Sequence, residues 1–286
     1  MAESSVLRME RIAQTNLQLY CQLLDQHWEG PALGLVADAY ELALRLFAVR
    51  VRPNRKPFIC HLVATASVTS SECDRAEATA ASLLHAAYTL GDWGDGKRGP
   101  TPRRRALVER ATGVATERLV ARYTAMPWGY HATAGVLSRA ADLDDDERTV
   151  VLMRLANEVD EWADGGLRFS DKGDYPRFGA ENATAVRELA RSLGYVRVAE
   201  LLDEAFRRHE ALSVPRALRI EGTDPEGGRV TPQSRLLRMG VRMETERDAG
   251  QALRRGARKL ADAVRRRRIA AAPALDSSST EVRHGD

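Results

Sequence analysis

The 286-residue sequence predicts an all-α fold. Hydrophobic residues make up 44% of the chain and charged residues 29%, as in ordinary globular proteins. Alanine, leucine and arginine, which favour helices, are abundant. Hydrophobic residues recur at helical spacing, whereas no run alternates with the period of two that a half-buried strand shows. A chain of this length accommodates one large helical domain with extensions and a sizeable core.

Breaks in the hydrophobic pattern divide the chain into successive predicted helices. These helices cover residues 5–28, 32–50, 58–70, 76–90, 102–112, 116–125, 145–164, 184–193 and 196–212. Proline and glycine supply many of the breaks, most clearly in the long glycine-rich loop over 91–102. Thr101 and Pro102 suit the first positions of a helix. The acidic run 142–147 suits the positive end of the helix dipole that follows it.

The domain organisation follows from the same breaks. We assign residues 1–56 to N-terminal helices that pack on a helical core over 57–220. A glycine-rich linker (221–233), a basic helix (234–268) and a disordered tail (269–286) are expected to follow. Arginines concentrate in the predicted basic helix, although the net charge of the chain is only +3. Aromatic side chains do not interleave with them, so we expect a solvated helix and no nucleic-acid partner.

The cysteines and the N-terminus bear on the compartment. Cys21, Cys60 and Cys73 form no CxxC pair, so we expect reduced thiols. The N-terminus lacks the basic region and apolar run of a signal peptide, and no stretch reaches the roughly 18 to 20 apolar residues of a membrane helix. We therefore expect a cytoplasmic protein with no membrane partner. The expected partner is a small-molecule substrate. The sequence is also compatible with a homodimer.

Three helices carry the residues that are most suggestive of chemistry. His61 lies near the start of one helix, His85 on the very apolar helix that follows, and Asn157 on a third. Side chains from neighbouring helices of a bundle can converge on one point, and metal sites in helical bundles are built in this way. The spacing therefore predicts that these residues meet inside the core.

These segments resemble the HD superfamily of metal phosphohydrolases, particularly the hydrolase domain of the bifunctional alarmone (p)ppGpp enzymes. The segment Pro57-Phe58-Ile59-Cys60-His61 is similar to the one that carries the first histidine ligand of the family. Leu83-Leu84-His85 is similar to the one with the second histidine, and Arg154-Leu155-Ala156-Asn157 to the one with the last ligand. The resemblance covers roughly residues 40–165. It implies an HD-domain-like helical bundle, to which the C-terminal helical extension would be added.

The sequence departs from the family at four positions. Ala86 and Asn157 stand where the family has aspartate ligands, so the name-giving His-Asp pair is lost. Thr89 and Leu90 stand where the alarmone enzymes have the Glu-Asp pair that serves hydrolysis. The chain is thus similar to a divergent branch of the superfamily, and alarmone hydrolysis itself is not expected.

A divalent ion at this site would need replacement ligands, because hard ions prefer carboxylate oxygens. We expect one ion, Mn, Fe or Zn. The candidate metal ligands are His61, His85, Asn157, Glu158 and Asp160. The alternative is that both histidines are core residues, hydrogen-bonded to each other or to Asn157, and that the acidic helix face is solvated.

The remaining candidates concern catalysis and substrate binding. His85, Tyr88 and Glu161 are candidate catalytic residues. The basic residues before the first histidine suit a phosphate, and tryptophans on the neighbouring loops suit a pocket wall. The candidate substrate-binding residues are Arg52, Arg55, Lys56, Trp93 and Trp128. Surface charge and simple packing remain alternative interpretations of these five residues.

Two functions from different classes follow. The first is an HD-like metal-dependent hydrolase, in which the ion activates water against a small phosphorylated or nucleotide-like metabolite. The alternative is a metal-free, degenerate HD domain that binds a small ligand or catalyses acid/base chemistry through His85 and Tyr88. The retained histidines favour the first function, and the loss of both aspartates favours the second.

Overall fold

The computed structural model describes residues 11–95, 97–169, 175–220 and 228–229. The chain divides into two units, Met1–Val230 and Thr231–Asp286, and every described residue belongs to the first unit. The predicted basic helix (234–268), the tail (269–286) and most of the linker therefore lie outside the described residues. Their assignment stays a prediction.

The described part of the chain is all-α, which confirms the predicted fold class. Its helices are α1 (Asn16–Asp25), α2 (Gly30–Phe47), α3 (Phe58–Ser70), α4 (Ala76–Leu84), α5 (Ala87–Leu90), α6 (Pro102–Ala125), α7 (Tyr130–Ser138), α8 (Asp145–Ala163), α9 (Tyr175–Ser192) and α10 (Val196–Ala211). Short 3-10 helices span Ala140–Asp142, Gly166–Phe169 and Arg216–Leu218. Strands β1 (Arg50–Val51) and β2 (Gly228–Arg229) pair antiparallel, with Arg50 opposite Arg229. Within the described ranges, none of the helices combines the length and apolar character that a membrane crossing requires.

Several helix boundaries differ from the predicted ones. The predicted helix 76–90 is interrupted at His85 and Ala86, which separates α4 from α5. The helices predicted over 102–112 and 116–125 form α6, with a kink at Gly113, whose φ of +81° suits a residue without a Cβ atom. Helix α7 lies between the helices predicted over 116–125 and 145–164, in a segment for which no helix was predicted.

Helix α3 lies at the centre of the domain and packs against α4 and α8. From His61 to Ser70 every residue of α3 is buried, including several hydroxyl side chains. These hydroxyls stay hydrogen-bonded: Thr65 donates to the carbonyl of His61 at 2.9 Å, and the Thr69 and Ser82 hydroxyls lie 2.9 Å apart. A polar but fully bonded interior helix of this kind can hold a functional side chain rigidly.

Two apolar clusters surround this centre. One is built mainly from α1 to α4 and α6, with Leu19, Phe47 and Leu84 among its buried members. The other is built mainly from α7 to α10, with Leu189 and Phe206. Helices α3 and α8 contribute to both clusters. The two helices that carry His61 and Asn157 are thus fixed from both sides.

The predicted helix starts of α6 and α8 have the expected caps. The Thr101 hydroxyl accepts a hydrogen bond from the backbone N–H of Arg104 at 3.3 Å. At the start of α8, Asp144 accepts from the backbone N–H of Glu147 at 2.7 Å, and the Glu147 carboxylate accepts in return from the N–H of Asp144 at 3.1 Å. This reciprocal pair explains why the acidic run precedes α8.

Candidate active site

A cavity of about 280 Å³ lies where α3, the α4–α5 break, the end of α6 and α8 meet. Its walls are formed by Arg52, Pro53, Phe58, His61, His85, Ala86, Thr89, Leu90, Tyr123, Thr124, Arg154, Asn157 and Glu161. The three positions that carry the sequence resemblance, His61, His85 and Asn157, all line it. The predicted convergence of three helices on one point therefore agrees with the structure.

The two histidines face each other across this cavity. The Nε2 atoms of His61 and His85 lie 3.3 Å apart, and both side chains are almost completely buried. The Nδ1 atom of His85 lies 2.7 Å from the carbonyl oxygen of Ser82, which can only accept. The Nδ1 atom of His61 lies 2.6 Å from Oδ2 of Asp160. Each imidazole is therefore held from behind by an acceptor.

The charges around the pair decide where the protons lie. Burial lowers the pKa of His61 to about 4, with a further contribution from the Arg52 charge. Burial and the neighbouring His61 also lower the pKa of His85 well below its ordinary value. Both rings are neutral at neutral pH, and each places its single proton on Nδ1, where an acceptor lies. Two Nε2 lone pairs then point into the cavity with no proton between them.

Asp160 stays ionised because two donors hold it. Burial alone would raise its pKa, but hydrogen bonds from His61 and Lys56 and the Lys56 charge lower the pKa below its ordinary value. The Lys56 ammonium lies 2.6 Å from Oδ1 of Asp160 and 3.2 Å from the carboxylate of Asp164. Both oxygens of Asp160 are thus engaged on the side of His61 that faces away from the cavity.

The two converging Nε2 atoms fit a bound metal ion. Two nitrogen ligands at about 2.0 to 2.1 Å from a tetrahedral ion are roughly 3.3 Å apart, which is the separation seen here. The carboxylate and carbonyl behind the rings are the kind of partner that orients metal-bound histidines. Within the described residues, however, no group of three or more His, Cys, Asp or Glu side chains is arranged to hold a metal ion. A donor set of two imidazoles and the Asn157 amide suits Zn²⁺ or Fe²⁺ better than Mn²⁺.

Two of the proposed metal ligands have other partners. Asp160 was predicted to contact the ion directly, but its carboxylate accepts from the outer nitrogen of His61. Glu158 was also predicted to be a ligand, but its carboxylate accepts from the indoles of Trp128 and Trp162 at 2.9 and 3.2 Å. Neither carboxylate lines the cavity. Of the five predicted ligands, His61, His85 and Asn157 line the cavity, and the Nε2 atoms of the two histidines face each other there.

Tyr88 does not lie in the cavity wall, although His85 is only three residues away. The Tyr88 hydroxyl donates to Oε1 of Glu117 at 2.8 Å, and Arg105 also binds this carboxylate. Burial and the hydrogen bond to Glu117 raise the pKa of Tyr88. These contacts argue against the predicted catalytic role, because the break between α4 and α5 directs Tyr88 to a different part of the core.

The candidate catalytic residue Glu161 does line the cavity, where it forms an ion pair with Arg52. Burial raises the pKa of Glu161 despite this pairing. Arg52 also lies 5.8 Å from the centre of the Phe58 ring. The predicted catalytic residue Glu161 and the predicted substrate-binding residue Arg52 thus form one ion pair in the cavity wall.

The other predicted substrate-binding residues lie outside the cavity wall. Lys56 binds Asp160 and Asp164, and Arg55 is exposed in the turn before α3, with φ of +66°. The Trp93 indole donates to the carbonyl of Ala87 at 2.8 Å and stacks on Tyr88. Trp128 donates to Glu158. Lys56, Trp93 and Trp128 thus contact the surrounding structure, and none of the four side chains lines the cavity.

The sequence interpretation missed Arg154 as a site residue. Arg154, Asn157 and Glu161 have the i, i+3, i+7 spacing of one helix face, and all three line the cavity. That spacing was visible in the sequence and could have identified the arginine. Tyr123 also lines the cavity, where its ring centre lies 4.9 Å from that of His85.

Comparisons with known proteins identify no family. No protein-family model matches the chain, and no curated protein matches it. One similar solved structure carries the description "A metazoan ortholog of SpoT hydrolyzes ppGpp and plays a role in starvation responses". It is 17% identical, with a TM-score of 0.45, and the match covers 65% of this chain and 99% of that chain. The hydrolysis of ppGpp is an activity of that protein.

Proposed function

We propose that this domain is an HD-like metal-dependent hydrolase that acts on a small phosphorylated or nucleotide-like metabolite. The observation that carries the proposal is the pair of Nε2 atoms, 3.3 Å apart at the wall of the cavity. A pair of buried histidines that only packed together would place a proton between these atoms. Here the Asp160 carboxylate and the Ser82 carbonyl, which accept at the outer nitrogens, favour the tautomers that leave both Nε2 lone pairs free for an ion.

The chain's own residues have distinct roles in this proposal. His61 and His85 hold the ion, with the Asn157 amide beside them, and Asp160 and the Ser82 carbonyl keep both rings oriented. When bound, such an ion lowers the pKa of a water molecule and so supplies hydroxide for attack on a phosphoester. The arginines of the cavity wall bind the negative charge of the substrate.

Metal analysis of the purified protein tests the proposal. We expect about one equivalent of a transition metal after loading with Zn²⁺ or Fe²⁺, and far less in His61→Ala and His85→Ala. His209→Gln is the matched control, because His209 is buried against Trp162 and does not line the cavity. Far less than one equivalent of every metal, with no gain on adding Mn²⁺, Fe²⁺ or Zn²⁺, contradicts the proposal.

A screen of phosphorylated metabolites then tests the reaction. Release of inorganic phosphate should require the loaded metal and disappear with chelator. We expect the His85→Ala variant to lose at least about 100-fold in kcat/KM. Removal of one ligand lowers the affinity for the ion and also opens the site to water. Hydrolysis that is unaffected by chelator and by His85→Ala would exclude metal-activated water at this site.

A metal-free binding domain is the second candidate. It is favoured by the donor set, since Ala86 and Asn157 provide no carboxylate and the nearby Asp160 carboxylate binds the outer nitrogen of His61. This candidate predicts that small phosphorylated ligands raise the melting temperature equally with and without chelator, and that no product forms. Its acid/base version through Tyr88 has less support, because the Tyr88 hydroxyl is bound to Glu117.

A further inference from the structure

Arg154 is distinguished from Arg52 by its lack of an ionic partner. Arg52 forms an ion pair with Glu161 at the cavity wall. Arg154 lines the same cavity, but no described carboxylate forms an ion pair with it. The cavity wall therefore carries two guanidinium groups and one carboxylate, and with neutral histidines its net charge is positive. No described carboxylate lies within ion-pair distance of Arg154, although its charge lowers the pKa of the buried Glu158, which burial itself raises. The positive wall therefore favours a bound anion.

The guanidinium of Arg154 is nevertheless held in place. Its Nη2 donates to the carbonyl oxygens of Tyr123 at 2.6 Å and Met126 at 3.1 Å, at the end of α6. The same group lies over the Tyr123 ring, 3.7 Å from its centre. One nitrogen and one face of the planar group thus hold the Arg154 side chain in place. The conformational entropy that this side chain loses when a ligand binds is therefore smaller.

The two carbonyl hydrogen bonds of this guanidinium use Nη2 alone, although the group also interacts with the Tyr123 hydroxyl, whose pKa burial raises and the guanidinium lowers. Nε is buried without any hydrogen-bond partner among the described residues. A buried donor without an acceptor is rare in folded proteins and calls for a binding or strain explanation. Since His85 and Arg154 line one cavity, a ligand that binds this guanidinium also lies near the histidine pair.

The dimensions and charge of the cavity restrict the class of ligand that can bind there. A volume of about 280 Å³ is at the lower end of the range of small-molecule pockets, roughly 300 to 1,000 Å³. Phe58, Leu90 and Tyr123 provide apolar surface for a compact body beside the charged groups. A guanidinium recognises phosphate through several N–H donors, whereas an ammonium offers only a point charge.

We propose that Arg154 binds the phosphoryl group of the substrate, and that the substrate is a compact phosphate monoester with a single phosphoryl group. This assignment deepens the proposed hydrolase function and rests on it. Arg154 thereby acts as a specificity-determining residue, whereas the histidine pair and Asp160 belong to the hydrolytic part of the site.

The test measures binding of inorganic phosphate by isothermal titration calorimetry, in chelator and in the metal-loaded protein. We expect saturable binding that Arg154→Gln and Arg154→Lys each weaken by about tenfold or more, since hydrogen bonds to charged groups contribute that much. Arg148→Gln and Arg148→Lys are the matched controls: Arg148 lies on the same helix and also donates to a backbone carbonyl, that of Leu193, but does not line the cavity. The control variants should bind phosphate within twofold of the wild type.

The lysine variant keeps the test independent of folding. Arg154→Gln removes hydrogen bonds to the end of α6, whereas Arg154→Lys retains the charge and a donor for those carbonyls. Thermal unfolding is measured for both variants. Phosphate affinity that is unchanged in folded Arg154→Lys and Arg154→Gln proteins overturns the assignment, as does the absence of saturable phosphate binding in the wild type.

Three further probes define the substrate class. Ribose 5-phosphate should bind at least as tightly as inorganic phosphate, ribose should not bind, and acetate should bind more weakly than phosphate. Tighter binding of acetate would assign a carboxylate ligand and overturn the phosphoryl assignment, and tighter binding of ATP than of ribose 5-phosphate would overturn the single-phosphoryl class.

The two proposals fail in different ways. Arg154-dependent phosphate binding in a protein that holds no metal and hydrolyses nothing would support the assignment and contradict the hydrolase. Metal-dependent hydrolysis that survives Arg154→Lys with unchanged KM and unchanged phosphate affinity would support the hydrolase and contradict the assignment.

Discussion

Two buried carboxylates in this domain differ in whether their partners line the cavity. Asp160 binds a side chain that does, and Glu117 binds one that does not. Both are almost fully buried, and each binds a cationic side chain and one further donor. The further donor of Asp160 is His61, whose other ring nitrogen points into the cavity. The further donor of Glu117 is the hydroxyl of Tyr88, a buried side chain that does not line the cavity. Similar chemistry thus supports a site in one case and only packing in the other.

The separation of the two networks begins at one interruption of the helix. His85 and Tyr88 are three residues apart, and on a continuous helix they would share one face. Helix α4 ends at Leu84 and α5 begins at Ala87, so His85 meets His61 while Tyr88 meets Glu117. Substitutions in the two networks should therefore separate stability from site function.

The largest expected effect is the loss of stability in Glu117→Ala. The change leaves the buried Tyr88 hydroxyl without its acceptor and Arg105 without its carboxylate, so we expect a loss of about 3 kcal/mol. Denaturant unfolding measures it, and phosphate and metal binding should stay within twofold. Glu109→Ala, on the same helix and without these bonds, should change stability by less than about 0.5 kcal/mol. Equal losses in both variants would contradict the network.

The second effect is acid sensitivity of the cavity network in the metal-free protein. Burial lowers the pKa of His61 to about 4, so between roughly pH 6.5 and 4 the unfolded chain binds a proton that the folded chain does not. Stability should therefore fall with pH across this window, by about 3 kcal/mol from His61 alone.

The His61→Gln variant isolates this acid effect. Burial raises the pKa of Glu158 and Glu161, so these groups change stability in the opposite direction, but they do so in the variant as well. Urea unfolding at pH 7 and pH 4.5 should show a smaller loss in His61→Gln than in the wild type. Parallel curves would mean that His61 is not kept neutral by the fold.

A third, smaller effect concerns how Asp160 acts on the histidine pair. Asp160→Asn should lower metal affinity about 10- to 100-fold, because the carboxylate orients the His61 ring without contacting the ion. Competition with a chromophoric chelator measures the affinity. Asp164→Asn is the control, since Asp164 also contacts Lys56 but is half exposed and does not contact His61. The same loss in both variants would indicate a general charge effect.

The smallest effect is expected for Tyr88→Phe. Removal of the hydroxyl eliminates one hydrogen bond to Glu117, which Arg105 still binds, so stability should fall by about 1 kcal/mol. Turnover and phosphate binding should not change by more than twofold. A loss of more than tenfold in kcat with little change in KM would restore Tyr88 as a catalytic residue.

Local patterns in the sequence were sufficient for much of the fold. The bounds of α3, the cap at Thr101 and the acidic start of α8 follow from prolines, caps and hydrophobic spacing, which act over a few residues. The kink of α6 was anticipated as two helices because Gly113 lies between two helical patterns. The convergence of His61, His85 and Asn157 was predicted from their positions on three helices of a bundle, and all three line the cavity.

Only the tertiary structure decided which polar groups of α8 face the site. Successive helical residues point about 100° apart, so the rotation of α8 against α3 determines whether Asn157, Glu158, Asp160 or Glu161 meets the histidines. That rotation places Asp160 behind His61, holds Glu158 between two indoles and brings Arg154 into the cavity. The residue types were written in the sequence, but their partners come from packing between helices that are distant along the chain.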